Sequence, residues 1–499
     1  MEKSLTLEEI QDFKRKYPKQ LWYLFLVEMW ERFCFYGMRG VLTIFMADKL
    51  LGLGLPDKEA NLKYGAIQAF VYAFTFIGGI FADKILGFKK SLLFGGTVMI
   101  IGNIIIVVSP QTYFYVGITL SIIGTGFFKP NISTMVGELY KEGDKRRDAG
   151  FGLFYSGINI GALLGGAICV YLGKSKDFGW SYAFLSAAIV MFIGMVTFLF
   201  TKKSLGPIGD SPLLKLSASK RTIREILVYA GSLISIPFIF IMIKNTDYTD
   251  YFMYTIGPLA IIYFLYEVIK EKDIRYRKKL LAAFVFILFS IIFWAFFEQS
   301  GGSLALFAQD NLHHNLLFFD IDPNIINNTS NSLFVIIFSP IFGLMWLSMT
   351  KRKIEPNTVI KFGLGFLFLA LAFYTFYYTK FFADLKGLTS LNIFTLAYLV
   401  ITFGELCLSP IGLSIMTKLS PKKLGGMMMG MWFLASAYGQ YAAGLLGAGM
   451  SDPKENASLP EKLTAYTNGY QHLAVYALIA GVILIALSPF VKKLMQEVK

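Results

Sequence analysis

LWYLFLVEMWERFCFYGMRGVLTIFM, residues 21–46, is an apolar stretch long enough to span a bilayer, yet it contains four charged side chains. These are Glu28, Glu31, Arg32 and Arg39. Each ionisable residue at the centre of a membrane helix costs about 2.5–3.5 kcal/mol. Because positions 28, 31, 32, 35, 36 and 39 recur at three- and four-residue intervals, the four charged residues share one helical face with Phe35 and Tyr36, and lipid cannot solvate this face. The sequence therefore predicts that this face lines a wet cavity inside a helix bundle, an arrangement that favours transport.

The composition of the whole chain indicates an all-α polytopic membrane protein. Hydrophobic residues make up 55% of the 499 residues and charged residues only 16%, and the mean hydropathy is +0.56. In a soluble protein about a quarter of the residues are charged. The three cysteines lie far apart in apolar segments, so neither a disulfide framework nor a metal site is expected.

Apolar segments of about twenty residues recur along the chain and predict fourteen membrane-spanning helices in a six, two and six arrangement. The predicted spans are 21–46, 62–82, 90–109, 112–136, 150–172, 180–201, 225–243, 251–269, 281–307, 331–350, 359–379, 391–418, 424–449 and 470–491. A polar linker follows the sixth span, and the next two spans are interpreted as an inserted hairpin. The predicted domains are an N-terminal six-helix bundle (1–201), a linker with the inserted helical hairpin (202–280) and a C-terminal six-helix bundle (281–499).

The formal net charge of +14 is spread over alternate loops instead of forming one patch, which argues against nucleic-acid binding. Lysines and arginines follow every even-numbered predicted span. After the fourth span, for example, come Lys141, Lys145, Arg146 and Arg147. This is the positive-inside pattern, and it predicts a multi-pass protein of the bacterial inner (plasma) membrane with both termini in the cytoplasm.

Few other polar residues lie within the predicted spans. They include Lys129, Asn159, Glu298, Asn331 and Glu405. Together with the first span they bring the intramembrane total to three bases and four acids. Since removing one partner of a buried ion pair is strongly destabilising, we expect these charges to pair across a common cavity.

Carboxylates are the groups expected to bind a coupling proton. The three histidines, His313, His314 and His472, fall in an outside loop or at the outer edge of the last span, so none is placed as a buried relay. A glutamate that is desolvated beside an arginine can exchange its ion pair for a proton. Proton switching is therefore predicted among the intramembrane glutamates, with the proton as coupling ion and no other cofactor.

Five motifs resemble signatures of the proton-dependent oligopeptide transporters of the major facilitator superfamily. They occur in the family's order and are EMWERFCFYGMRG (28–40), GTGFFKPNIS (124–133), FYSGINIG (154–161), FWAFFEQSG (293–301) and GELCLSPIGLSIMTKLSP (404–421). The resemblance covers essentially the whole chain. It implies the major facilitator fold of two six-helix bundles, and the inserted helix pair is similar to that of bacterial members.

The resemblance implies a role for each matching residue. The expected proton-coupling residues are Glu28, Glu31, Arg32 and Glu298, with Lys129 reaching towards the first three. The residues expected to bind substrate are Tyr36, Arg39, Tyr72, Lys129, Asn159, Asn331, Glu405, Trp432 and Ser436. Among them, Arg39 and Lys129 would bind the carboxylate of a peptide and Glu405 its amino terminus.

The resemblance also implies two gate ion pairs, Arg39 with Glu298 on the outer side and Lys129 with Glu405 on the inner side. One residue departs from the family pattern. Phe35 stands where many relatives have tyrosine, which removes a hydroxyl from the pocket and leaves the side-chain preference open.

Resemblance and charge pattern together predict proton-coupled symport of di- and tripeptides into the cell by alternating access. The expected protein is a monomer whose partners are peptides, protons and membrane lipid. The same fold moving nitrate or another small organic anion is an alternative. So is a non-transporting nutrient sensor, although such proteins usually carry a long soluble tail. An enzyme is not expected, because no loop carries a nucleophile–base pair or a metal-ligand motif.

Overall fold

The computed structural model describes residues 5–408, 412–421, 424–451 and 457–498, and in these ranges it is predominantly α-helical. The chain divides into two compact units. Unit 1 consists of Met1–Gly54 and Phe70–Lys244, and unit 2 consists of Leu55–Ala69 and Asn245–Lys499.

Unit 1 is built around two sets of helix contacts, in which α2 packs against α6 and α7, and α4 packs against α5 and α7. Its helices are α1 (Leu7–Gln11), α2 (Lys19–Ala47), the second half of α3 (Asp57–Phe81), α4 (Phe88–Val108), α5 (Pro110–Glu138), α6 (Arg146–Lys174), α7 (Trp180–Thr201) and α8 (Ala218–Lys244). A π-helical turn at Ala82–Leu86 follows α3, and two 3₁₀ turns, Lys202–Leu205 and Pro212–Lys215, lie in the linker before α8.

In unit 2, α13 packs against α14 and α17, while α10 packs against α16 and α17. Its helices are the first half of α3, α9 (Thr246–Lys270), α10 (Ile274–Phe297), α11 (Ser303–Asn311), α12 (Pro323–Lys351), α13 (Thr358–Tyr378), α14 (Leu391–Leu408), α15 (Gly412–Leu419), α16 (Gly425–Met450) and α17 (Leu459–Met495). Between α11 and α12, strands β1 (Asn315–Leu316) and β2 (Phe319–Asp320) form a small antiparallel hairpin.

The predicted all-α membrane architecture is confirmed. Each predicted span coincides with a long helix or with a pair of consecutive helices, and eleven of the described helical segments are long and apolar enough to cross a membrane. The other three predicted spans coincide with α2, α5 and α16. In α2 the four charged side chains near the middle of the helix lower its apolar character.

One predicted span is interrupted in the structure. The segment 281–307 was expected to be continuous, but α10 ends at Phe297 and a 3₁₀ turn, Glu298–Gly301, precedes α11. Two consecutive glycines weaken the helix there. A side chain at Gly301 would collide with the ring of Tyr64 on α3, so close packing against that ring requires glycine.

Glycines bring α6 directly against α2. A β-carbon at Gly161 would overlap the backbone of Met29 and lie 2.8 Å from the β-carbon of Arg32. One turn further, a β-carbon at Gly165 would overlap the backbone of Phe33. Real side chains essentially never approach so closely, so these glycines fix the distance between the two helices. The charged segment of α2 is thereby held against α6.

Candidate functional site

The first group of predicted residues forms a buried ionic cluster on α2. The Nε atom of Arg32 donates to Oε1 of Glu28 at 2.8 Å and lies 2.7 Å from Oε2 of Glu31. All three residues are buried: Glu28 is 2% exposed, Arg32 is 3% exposed and Glu31 is 0% exposed. Oε1 of Glu31 has no hydrogen-bond donor among the described residues. One guanidinium therefore serves two carboxylates in a site shielded from solvent.

Lys129 on α5 interacts with the carboxylates of this cluster and also contacts two aromatic rings. It interacts electrostatically with both Glu28 and Glu31. Its Nζ lies 4.4 Å from the ring centre of Tyr72 on α3 and 5.0 Å from that of Phe35 on α2. Within unit 1, Lys129 thus lies with the cluster as the resemblance implied, and Tyr72 of α3 lies beside it.

Phe35, which the sequence placed on the charged face of α2, contacts two cations in the structure. Its ring centre is 5.0 Å from Nζ of Lys129 and 5.8 Å from Cζ of Arg32. A cation over an aromatic face is stabilised by about 0.5–2 kcal/mol, more when the pair is desolvated. The spacing of three residues between Arg32 and Phe35 was a possible signal, since side chains three apart are helix neighbours.

Two further predicted residues of unit 1 already have local contacts. The guanidinium carbon of Arg39 lies 5.8 Å from the ring centre of Tyr36 on the same helix. The side-chain amide of Asn159 on α6 donates to the backbone carbonyl of Tyr155 at 3.0 Å. In this arrangement the amide nitrogen of Asn159 is used within its own helix, and its carbonyl oxygen is the atom suited to accept a further donor.

In unit 2, Asn331 on α12 and Glu405 on α14 are hydrogen-bonded. The amide of Asn331 donates to Oε2 of Glu405 at 2.7 Å and is 3.2 Å from Oγ1 of Thr402, which lies one turn before Glu405. A neighbouring bond from the hydroxyl of Tyr398 to Oδ1 of Asn327, 2.5 Å long, joins the same two helices. The asparagine therefore orients the carboxylate through a charge-assisted hydrogen bond. Sequence analysis did not single out Thr402, Tyr398 or Asn327.

The remaining predicted residues of unit 2 lie on other elements. Glu298, 5% exposed, begins the 3₁₀ turn after α10, and Trp432 on α16 is 8% exposed. The hydroxyl of Ser436 donates to the carbonyl of Trp432 at 3.2 Å. Residues 409–411 of the last sequence motif lie outside the described part of the chain. The proposed gate pairs each join residues of different units and stay predictions.

Comparisons with known proteins agree with this architecture. The profile of PTR2, the POT family, matches residues 89–467. "Peptide transporter YePEPT" of Yersinia enterocolitica subsp. palearctica serotype O:3 (strain YE-P4) is 35% identical over 455 residues, which cover 86% of this chain and 88% of that protein. "Uncharacterized transporter YclF" of Bacillus subtilis (strain 168) is 34% identical over 490 residues, 97% of this chain and 96% of its own.

A solved structure extends the likeness to three dimensions. The crystal structure of the peptide transporter POT in complex with sulfate superposes with a TM-score of 0.83 at 32% sequence identity. The match covers 99% of this chain and 100% of the other. Similarity in sequence and in backbone thus extends over almost the full length.

Proposed function

This chain belongs to the POT family, and from that premise we propose that it is a proton-coupled symporter that carries di- and tripeptides into the cell by alternating access. The naming of a similar protein and of a similar structure as peptide transporters supports the peptide as substrate. The proposal includes a monomer in the bacterial inner membrane with both termini in the cytoplasm, as the distribution of basic loops predicts.

The observation that carries the proposal is the buried cluster of Glu28, Glu31 and Arg32. Because two carboxylates share one guanidinium, the cluster needs either another positive charge or a proton for balance. Lys129 interacts electrostatically with both carboxylates and supplies such a charge. When a proton binds Glu31 instead, Lys129 is no longer needed to balance the cluster and becomes available to an anionic ligand.

The carboxylate of a peptide is the anion proposed to bind Lys129 once Glu31 is protonated. Arg39 provides a second cation in the same unit, on the helix that carries the acids. In unit 2, the carboxylate of Glu405 is oriented by Asn331 and would accept hydrogen bonds from the peptide's ammonium group. The other predicted roles stay part of the proposal, namely those of Tyr36, Tyr72, Asn159, Glu298, Trp432 and Ser436.

The decisive experiment is uptake of labelled dialanine by purified protein in liposomes under an inward proton gradient. We expect accumulation above the external concentration, abolished by a protonophore. Competition separates the alternative substrate class, because unlabelled dialanine should block uptake and nitrate should not. Gradient-independent equilibration would contradict proton coupling, and selective competition by nitrate would favour the small-anion function.

A further inference from the structure

A basic cavity lies in unit 1 and has no lining residue in common with the charged cluster of α2. It is an open cavity with a volume of about 480 Å³, lined by the beginning of α4, the linker after α7 and the beginning of α8. Five of its lining residues are cationic, and they are Lys89, Lys90, Lys202, Lys203 and Arg221. They lie at helix starts and in the linker, at the membrane face that the positive-inside pattern assigns to the cytoplasm.

Two acids neutralise only part of this charge. Nζ of Lys89 lies 2.7 Å from Oδ1 of Asp210, and Nζ of Lys90 lies 2.6 Å from Oε1 of Glu225. Arg221 is 3.9 Å from the same glutamate. The five lining bases exceed the two acids paired with them by three positive charges, and Glu138, hydrogen-bonded to the backbone of Gly209, adds one further acid beside the lining.

Lys202 and Lys203 account for most of the excess. Neither has an acidic partner among the described residues, and both lie in the 3₁₀ turn that directly follows the last turn of α7. Lys203 is exposed and Lys202 is partly exposed, so both ammonium groups can reach a ligand in the cavity. An anion would find two uncompensated cations there.

The same cavity has an apolar side that a simple anion would not use. Leu93 and Leu214 line it together with the cations. On the adjoining helices, Phe200 of α7 is 82% exposed and Ile223 of α8 is 56% exposed. Large apolar side chains this exposed on a membrane protein indicate contact with acyl chains. The cavity therefore lies where headgroups meet hydrocarbon, and it combines cations with apolar surface.

We propose that this cavity binds the phosphate headgroup of an anionic phospholipid, with phosphatidylglycerol as the probe, at the cytoplasmic face of the membrane. Basic pockets between membrane helices on that face are suited to such headgroups. The first acyl segments would lie against Leu93 and Leu214.

Binding at this place would act on the linker that connects the two predicted halves. Lys89 also donates to the carbonyl of Gly206 at 2.5 Å, and the hydroxyl of Ser211 donates to the carbonyl of Ile85 at 2.5 Å. These bonds hold the linker against the turn between α3 and α4. A bound headgroup would screen the repulsion among the lysines around these bonds and stabilise the folded linker.

Native mass spectrometry of the purified full chain tests the proposal without any variant. The protein is mixed with phosphatidylglycerol and with phosphatidylcholine that carries the same acyl chains. We expect roughly tenfold or greater preference for retention of the anionic lipid. Equal retention of the two lipids overturns the proposal.

A charge-neutralising pair of substitutions then locates the site. In K202Q/K203Q the preference for phosphatidylglycerol should fall to near that for phosphatidylcholine. K492Q/K493Q is the matched control, because these two adjacent lysines at the end of α17 are exposed and far along the chain from the cavity. Equal losses in both double variants would indicate diffuse attraction and overturn the site.

A phosphate arm distinguishes a lipid from a free ion. Inorganic phosphate at millimolar concentration should leave the retained phosphatidylglycerol in place, because it cannot use the apolar lining. Full displacement would assign the cavity to free phosphate and overturn the lipid proposal.

If K202Q/K203Q proves unstable in thermal unfolding, R221Q provides the second variant, with a smaller expected loss. None of these measurements depends on peptide transport.

Discussion

The guanidinium of Arg32 lies between two carboxylates in the buried cluster of α2. Arg32 lies within ion-pair distance of both Glu28 and Glu31, and all three are buried. Replacing a whole buried ion pair by apolar residues is often neutral for stability, but removing one partner costs about 3–5 kcal/mol. Because Arg32 and Lys129 together balance the two carboxylates, the addition of a proton leaves one positive charge unbalanced, which is the property that the proposed coupling site requires.

The Glu31→Gln variant tests this property. The amide has no charge and mimics the protonated acid, while Glu28 retains its bond to Arg32. We expect proton-driven uphill uptake in proteoliposomes to be lost, with counterflow exchange of peptide largely intact. Glu142→Gln, the same change at an exposed loop position, is the control and should transport normally. Unchanged uphill uptake in the Glu31 variant would remove the coupling role.

Arg39 is the residue for which recognition of the substrate can be separated from coupling. If its guanidinium binds the peptide carboxylate, Arg39→Ala should weaken binding of a free dipeptide by about 1.5–3 kcal/mol, the range for a hydrogen bond to a charged group. Binding of the corresponding peptide amide should change much less. Competition curves for dialanine and its amide give both affinities, and equal losses for the two would argue against the carboxylate role.

The residue spacing predicted which side chains lie on one helix face, and the family resemblance predicted ion pairs between helices, but neither predicted the aromatic and hydroxyl contacts between helices. The three- and four-residue spacing placed Glu28, Glu31 and Arg32 together, as the structure has them. The ring of Phe35 beneath Lys129 and the hydroxyl of Thr402 beside Asn331 depend on how separate helices pack. The periodicity of a sequence predicts which face of each helix is buried, but it does not predict the distance between two helices.

At the scale of elements, helix packing places these residues. The predicted span 21–46 agrees with Lys19–Ala47 because an apolar segment of that length in lipid must satisfy its own backbone by forming a helix. The interruption after Phe297 was not predicted, since the segment that contains it is apolar on both sides. The interruption depends on the low helix propensity of Gly301 and Gly302 and on the close packing of Gly301 against the ring of Tyr64.

Two glycines on α6, Gly165 and Gly152, test whether close packing of α6 against α2 contributes to stability. A β-carbon at Gly165 would overlap the backbone of Phe33, whereas one at Gly152 of the same helix would meet no atom within 4 Å. Gly165→Ala should therefore separate α6 from α2, with a cost of about 1–3 kcal/mol for overpacking. Gly152→Ala should be neutral or slightly stabilising, because alanine favours helix.

Thermal unfolding in detergent and peptide uptake measure both effects. The Gly165 variant should have a lower midpoint and reduced uptake, and the Gly152 variant should match the parent protein in both. Equal midpoints for the two variants would show that the close approach of α2 and α6 does not limit stability.

At the scale of the whole molecule, the distribution of charge assigns the orientation in the membrane. The basic cavity, the linker after α7 and the loops after even-numbered spans belong to the face predicted to be cytoplasmic. The hairpin between β1 and β2 lies on the opposite face in the same prediction. The orientation is a prediction from sequence alone, because the cost of moving positive charge across the membrane during insertion depends on the loops and not on helix packing.

Cysteine labelling in intact cells tests this orientation, and the chain is suited to it because all three native cysteines are buried. Phe318→Cys places a thiol at a position 98% exposed in the hairpin, and Ser219→Cys places one at an exposed position at the start of α8. A membrane-impermeant maleimide should label the first variant in intact cells and the second only after permeabilisation. The parent protein should remain unlabelled in both conditions. The opposite pattern would invert the topology. It would place the basic cavity at the outer face and contradict binding of phospholipid at the cytoplasmic face.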